Sequence, residues 1–249
     1  MRTSILTAAL LTILSSVPVL RASSLATPCV AASLATYDST FGSGGACSVG
    51  ILNFNGFSFF PGGTNPTLGA GNIEVTPAAN GVLGGGFTFS AIFPGLFTAG
   101  PGQSADYFID YSFVIDSGPI SSGSDLGMDP VLGDVMISQT FFLDTSDPPP
   151  LGAGSPCPPN QNTPPEFVCV DNTNPPASLT GTVSFNPPAQ NFGFIQTSIN
   201  INDSLGLTPS SFDSVTATLI VTTPEPVTWM LTLAGLLCFG LHRKLKIRC

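Results

Sequence analysis

Apolar and polar residues alternate along much of the chain between residues 27 and 223. Phe87, Phe89, Ala91 and Phe93 alternate with Thr88, Ser90 and Ile92. Tyr107, Ile109, Tyr111, Phe113 and Ile115 share one parity, opposite a mixed face that holds Asp110 and Ser112. Val135, Ile137, Phe141 and Leu143 make a third stripe. Gly193, Ile195, Thr197, Ile199 and Ile201 make a fourth, opposite Gln196, Ser198 and Asn200. Val215, Ala217, Leu219 and Val221 make the last, opposite Thr216, Thr218 and Thr222. A period of two puts successive side chains on opposite faces, so each stripe predicts a half-buried strand. Their β-branched and aromatic content agrees. Counting shorter runs, strands are predicted near 51–60, 72–76, 86–93, 106–116, 131–143, 167–170, 179–186, 192–201 and 214–222. This pattern predicts an all-β domain, an antiparallel β-sandwich, with a β-barrel as runner-up. Val30 to Tyr37 is the one segment read as a short helix ahead of the sheets.

Composition supports short elements joined by turns, with 27 Gly and 24 Pro in 249 residues. Residues 145–165 interrupt the pattern. Pro148-Pro149-Pro150, Pro156, Pro158-Pro159 and Pro164-Pro165 stiffen this stretch and deny it ladder hydrogen bonds. It reads as a long surface loop inside one domain, residues 27–223, rather than a linker. The few strands that follow it are thin for an independent sandwich.

The two ends carry addresses. Arg2, the apolar run Ile5 to Leu20 and the small residues after it read as a signal peptide, residues 1–26, cut before Thr27 or before Leu25. At the other end Pro224-Glu225-Pro226 precedes an apolar run, Val227 to Leu241. The cations Arg243, Lys244, Lys246 and Arg248 close it as a membrane stop. As a helix this run rises only about 22 Å, short for a bilayer, with the cations snorkelling to the interface. The sandwich is thus expected between an N-terminal signal helix and a C-terminal transmembrane helix.

Pro-Glu-Pro, Thr228-Trp229, a short apolar helix with Ala234, Gly235 and Gly240, and a basic cluster together resemble a PEP-CTERM sorting domain, residues 224–249. The resemblance implies an exported bacterial protein, an exosortase-type sorting enzyme as partner, and association with exopolysaccharide and biofilm matrix. Leu245 and Ile247 interrupt the arginine run usual in that family, and Cys249 has no counterpart in the pattern. The implied location is the cell envelope, anchored in the membrane through the C-terminus, or the extracellular matrix after processing.

Charge narrows the chemistry further. All six Lys and Arg residues and the single His lie in the two end segments. Residues 27–223 hold 14 of the 15 acids and no base, so the body carries 0 − 14 = −14. Such a body repels nucleic acid and anionic surfaces. It lacks the His or Lys base of a Ser or Cys nucleophile, the Lys of a phosphate loop, and His for zinc. Only carboxylate or carboxylate–metal chemistry survives.

Four body cysteines suit an oxidising compartment, and local loops favour Cys29–Cys47 and Cys157–Cys169. Phe113-Val114-Ile115-Asp116-Ser117-Gly118 has the form of an aspartic-protease half-site. Its only second copy, Phe142-Leu143-Asp144-Thr145-Ser146, lacks the Gly and lies too close in sequence. Asp125, Asp129 and Asp134 cluster among Gly123, Gly127 and Gly133 in what reads as a loop. Ca²⁺ is the ion such oxygens would suit, although no consensus spacing is present. Glu74 and Glu166 are the body's only glutamates, and nothing in the sequence places them on one cleft. The 19 Phe, with no Trp in the body, read as core rather than as a sugar platform.

The expected function is therefore a non-enzymatic, structural or adhesive protein of the envelope or exopolysaccharide matrix, with no cofactor. The alternative is a carbohydrate- or Ca²⁺-dependent binding module, and a carboxylate-only hydrolase follows behind it.

Overall fold

Two twisted sheets stack around a core rich in phenylalanine. In the computed structural model the described residues are 26–64, 66, 68–81, 83–93, 97–115, 120–142, 166–171, 179–189, 192–202 and 210–222. The strands are β1 (Thr27–Pro28), β2 (Ala32–Ser33), β3 (Cys47–Val49), β4 (Leu52–Gly63), β5 (Ile73–Asn80), β6 (Gly84–Ala91) and β7 (Thr98–Ala99). They continue with β8 (Ser104–Ile115), β9 (Ile120–Leu132), β10 (Asp134–Phe142), β11 (Glu166–Asp171), β12 (Thr180–Ala189), β13 (Phe192–Asn202) and β14 (Ser210–Thr222). The first sheet runs β1-β3-β4-β8-β13-β10-β11. The second runs β12-β9-β14-β6-β5-β2, with β7 paired to β14. Pairing is antiparallel throughout except β1 with β3. The sheets curl, so the sandwich has the form of a half-barrel.

All nine strands expected from alternation are present, because a long period-two stripe has one face that only a second sheet can bury. On β8 the odd positions Tyr107, Ile109, Tyr111 and Phe113 are buried against the second sheet. The Tyr111 ring packs with Phe57 at 5.4 Å, Phe87 at 5.7 Å and Phe89 at 6.0 Å. Its hydroxyl accepts a hydrogen bond from Gln139 Nε2 at 3.1 Å, and the same amide donates to Thr197 Oγ1 at 3.1 Å. The Ser124 hydroxyl on β9 lies 3.2 Å from Gln139 Oε1 and 2.8 Å from the Thr218 carbonyl. This polar clip joins both sheets with its groups paired, which keeps its burial affordable.

Three expectations change here. The helix, α1, spans Leu34–Phe41 rather than Val30–Tyr37. Ala32 and Ser33 pair with β5, and Ser33 then caps α1 by accepting from Thr36 N at 3.2 Å. Tyr37 of α1 donates to the Val30 carbonyl at 2.8 Å, and burial pushes its hydroxyl up to about 12. Second, the Gly- and Asp-rich stretch read as a loop is β9, paired on both sides, to β12 and to β14. Its sequence lacks alternation, and Gly123 permits the close approach: a Cβ there would collide with the Val183 carbonyl oxygen.

Third, the expectation of a membrane anchor at the C-terminus is overturned as a statement about the structure. No helix among the described residues is long and apolar enough to cross a membrane. The signal segment, the loop 145–165, the sorting motif Pro224, Glu225, Pro226 and the cations Arg243, Lys244, Lys246 and Arg248 lie outside the described residues.

The Cys29–Cys47 disulfide is present as expected and ties β1 to β3. Cys169 is also disulfide-bonded, and Cys157, expected as its partner, lies outside the described residues. Phe87, fully buried and in ring contact with Tyr37, Phe54, Phe57, Phe89 and Tyr111, joins the sheets and α1. Phe87→Ala is expected to cost about 3–5 kcal/mol. The check is a urea unfolding curve, in which the midpoint should fall while the slope stays constant.

Candidate functional site

The even positions of β8 point away from the second sheet. There Asp106, Phe108, Asp110 and Ser112 share a face with Phe194, Gln196, Ser198 and Asn200 of β13 and with Ser138, Thr140 and Phe142 of β10. β4 completes the face through a bulge. Its register slips between Asn55 and Ser58, where Gly56 takes a φ of +67°. The bulge reverses parity along the strand. Phe54 is in the core before it and Phe57 after it, so Ser58 and Phe60 emerge on the outer face. Composition reads the Phe residues as core rather than as a surface platform, and Phe60 departs from that. It is 56% exposed, and its register partner is Phe108.

One row crosses four strands of this face. Ser58 pairs with Asp110, Asp110 with Gln196, and Gln196 with Thr140. Asp110 is 8% exposed, Gln196 7% and Thr140 1%. Gln196 hydrogen-bonds the Asp110 carboxylate. Asp110 Oδ1, Gln196 Oε1 and Thr140 Oγ1 nevertheless have no hydrogen-bond partner among the described residues. Buried acceptors left unpaired each cost about 1–3 kcal/mol, and native structures hold few of them. Three such atoms are adjacent in one cross-strand row.

The row's electrostatics follow from the missing cations. Burial raises the Asp110 carboxyl above its ordinary value, and the Gln196 bond offsets this only in part. Burial likewise raises Asp106, against a hydrogen bond that Asn200 Nδ2 donates to Asp106 Oδ1. The groups that face Asp110 from β4, β13 and β10 (Ser58, Gln196 and Thr140) are all uncharged. The row can therefore accept hydrogen bonds from hydroxyls or ammonium groups, or offer oxygens to a cation. It offers an anion no cationic side chain.

The residues singled out from sequence fare differently. Asp125 and Asp129 lie on β9, four residues and so about 13 Å apart, and Asp134 begins β10 in the other sheet. Both Asp125 oxygens are taken, Oδ2 by Asn80 Nδ2 at 3.0 Å and Oδ1 by Thr182 Oγ1 at 2.8 Å. No group of three or more His, Cys, Asp or Glu that could hold a metal is found among the described residues. Glu74 is on β5 and Glu166 on β11, in different sheets. Asp116, Ser117, Gly118 and Asp144 lie outside the described residues, as does Cys157. Asp110, Gln196, Ser198 and Asn200 are visible in the sequence only as the polar sides of separate stripes, and pairing register alone makes them neighbours on one surface.

No family model and no curated protein matches the chain. Among solved structures it is similar to TmCBM61 in complex with β-1,4-galactotriose, at 9% identity and a TM-score of 0.30, over 64% of this chain and 86% of that one. It is also similar to the enzymatically active domain of bacteriophage CBA120 tailspike protein 4, at 13% identity and a TM-score of 0.22. That match covers 66% of this chain and 19% of the other. At these values the likenesses fix neither a family nor a ligand.

The raised carboxyls carry a pH signature. A folded-state acid held above its ordinary value of 3.8 binds protons more tightly than the unfolded chain does. Its contribution to stability is full below 3.8 and is lost as pH rises through the folded value. Thermal stability is thus expected to fall as pH is raised from 3.8 upward. Asp110→Asn should flatten that fall and raise Tm at pH 7 by roughly 2–4 °C, about 1 kcal/mol. Calorimetric melts across pH check both.

Proposed function

We propose that this chain is a non-catalytic carbohydrate-binding module whose ligand lies on the outer face of the first sheet. The reading rests on the row Asp110, Gln196 and Thr140 on adjacent strands, three buried oxygens without a hydrogen-bond partner among the described residues. Carbohydrates present closely spaced hydroxyl donors and carry apolar C–H faces, which suits acceptors set beside Phe60 and Phe108. Rigid strands hold the row, so little ordering is needed on binding. A cation would use the same oxygens, and a carboxylate, an amide carbonyl and a hydroxyl are hard-ion ligands. One carboxylate is a weak charge for that purpose, which favours hydroxyl donors.

A glycan array followed by titration calorimetry, with and without Ca²⁺, tests the reading. Gln196→Ala and Asp110→Asn are each expected to weaken glycan binding at least about tenfold, while Asp110→Asn remains folded and more heat-stable. Loss of binding in a stabilised variant separates function from folding. Heat uptake with Ca²⁺ alone, and none with any glycan, would assign the row to a cation.

The segment 224–249 is a second matter, proposed on sequence alone as a sorting signal read by an exosortase-type enzyme at Pro224-Glu225-Pro226. Mass spectrometry of the protein from its host should then find mature chains without the Trp229 peptide. A mature protein that retains this peptide would refute processing.

A further inference from the structure

Charge and aromatic placement on the same face decide which carbohydrate it suits. Phe60 and Phe108 are register partners one step along the strands from Ser58 and Asp110, which are also register partners. That step is two residues, about 6.8 Å. A pyranose ring resting on Phe60 therefore puts its edge hydroxyls over the acceptor row. Phe60 is 56% exposed and Phe108 is half-buried, so the two give a stepped apolar ledge rather than core. On the other side of the row Phe142 and Phe194 meet edge to face at 6.3 Å. The acceptors are thus bracketed by rings in both directions along the strands.

The charged groups of this face among the described side chains are Asp106 and Asp110 of β8 and, at its end, Asp134 of β10. Residues 27–223 contain no Lys, Arg or His to offset them. A uronate or sulfate brought onto the row would sit beside the Asp110 carboxylate with no counter-cation, a repulsion that low salt enlarges. A neutral sugar meets uncharged hydrogen-bonding groups, rings and carboxylate acceptors, and brings no negative charge for Asp110 to repel.

We infer that the site selects neutral glycans that stack a ring face on Phe60 and Phe108 while donating hydroxyls to Asp110, Gln196 and Thr140. This specificity rests on the carbohydrate reading above. The ligand runs across the strands, along the row from β4 toward β10, because the acceptors are arrayed in that direction.

The test uses the full chain with oligosaccharides of β-1,4-linked glucose, galactose and mannose, and oligogalacturonate as the anionic probe, by calorimetry at low and physiological salt. At least one neutral oligosaccharide is expected to bind. Phe60→Ala should weaken it by about tenfold or more, and Phe60→Trp should keep or tighten it. Phe60 is exposed, so neither variant should shift Tm. Oligogalacturonate should show no binding at either salt. Wild-type affinity in Phe60→Ala, or oligogalacturonate binding within tenfold of the neutral ligand, overturns the specificity and leaves the carbohydrate reading standing. No binding by any oligosaccharide overturns both.

Discussion

Tyr111 sits where the two sheets close on each other, and its burial governs the rest of the molecule. Its ring lies among Phe54, Phe57, Phe87 and Phe89, and its hydroxyl is paired with Gln139. Burial drives that hydroxyl's pKa far upward. Because β8 has a period of two, fixing Tyr111 inward fixes every other residue of the strand. Tyr107, Ile109 and Phe113 go to the core with it, and Asp106, Phe108, Asp110 and Ser112 go to the other side.

The outer face is the consequence, and it opposes stability. Three polar oxygens are withdrawn from water and have no hydrogen-bond partner among the described residues, and two carboxyls are raised by desolvation. The core's aromatic contacts and the Gln139 clip tolerate this, since they hold β8, β10 and β13 in register from behind. Unpaired polar groups on a rigid scaffold are the observation on which the proposed recognition site rests.

How far the chain can be read without coordinates depends on the element. β8, β13 and β14 were legible because their stripes are long and their alternation is clean. The Cys29–Cys47 bond was legible because it closes a short local loop. β9 was not, since Gly123, Gly127 and Pro130 break its pattern and only its two partners make it a strand. For a different reason, the exposure of Phe60 was not legible. A bulge at Gly56 inserts an extra residue and reverses parity, which alternation cannot foresee. Asp125, read as a metal ligand, lies beside Asn80 and Thr182, residues distant in sequence that take up its oxygens.

By itself the sequence determined what is local or compositional. Strand stripes follow from side-chain alternation, and the absence of any Lys, Arg or His between residues 27 and 223 leaves that stretch with carboxylates as its only charged side chains. The tertiary structure alone decided which polar residues stand together. Asp110, Gln196 and Thr140 belong to three strands far apart in the chain, and hydrogen-bond register, not sequence distance, makes them a row. Register in turn is set by which faces can be buried between two sheets, a property of the whole fold that no single strand carries.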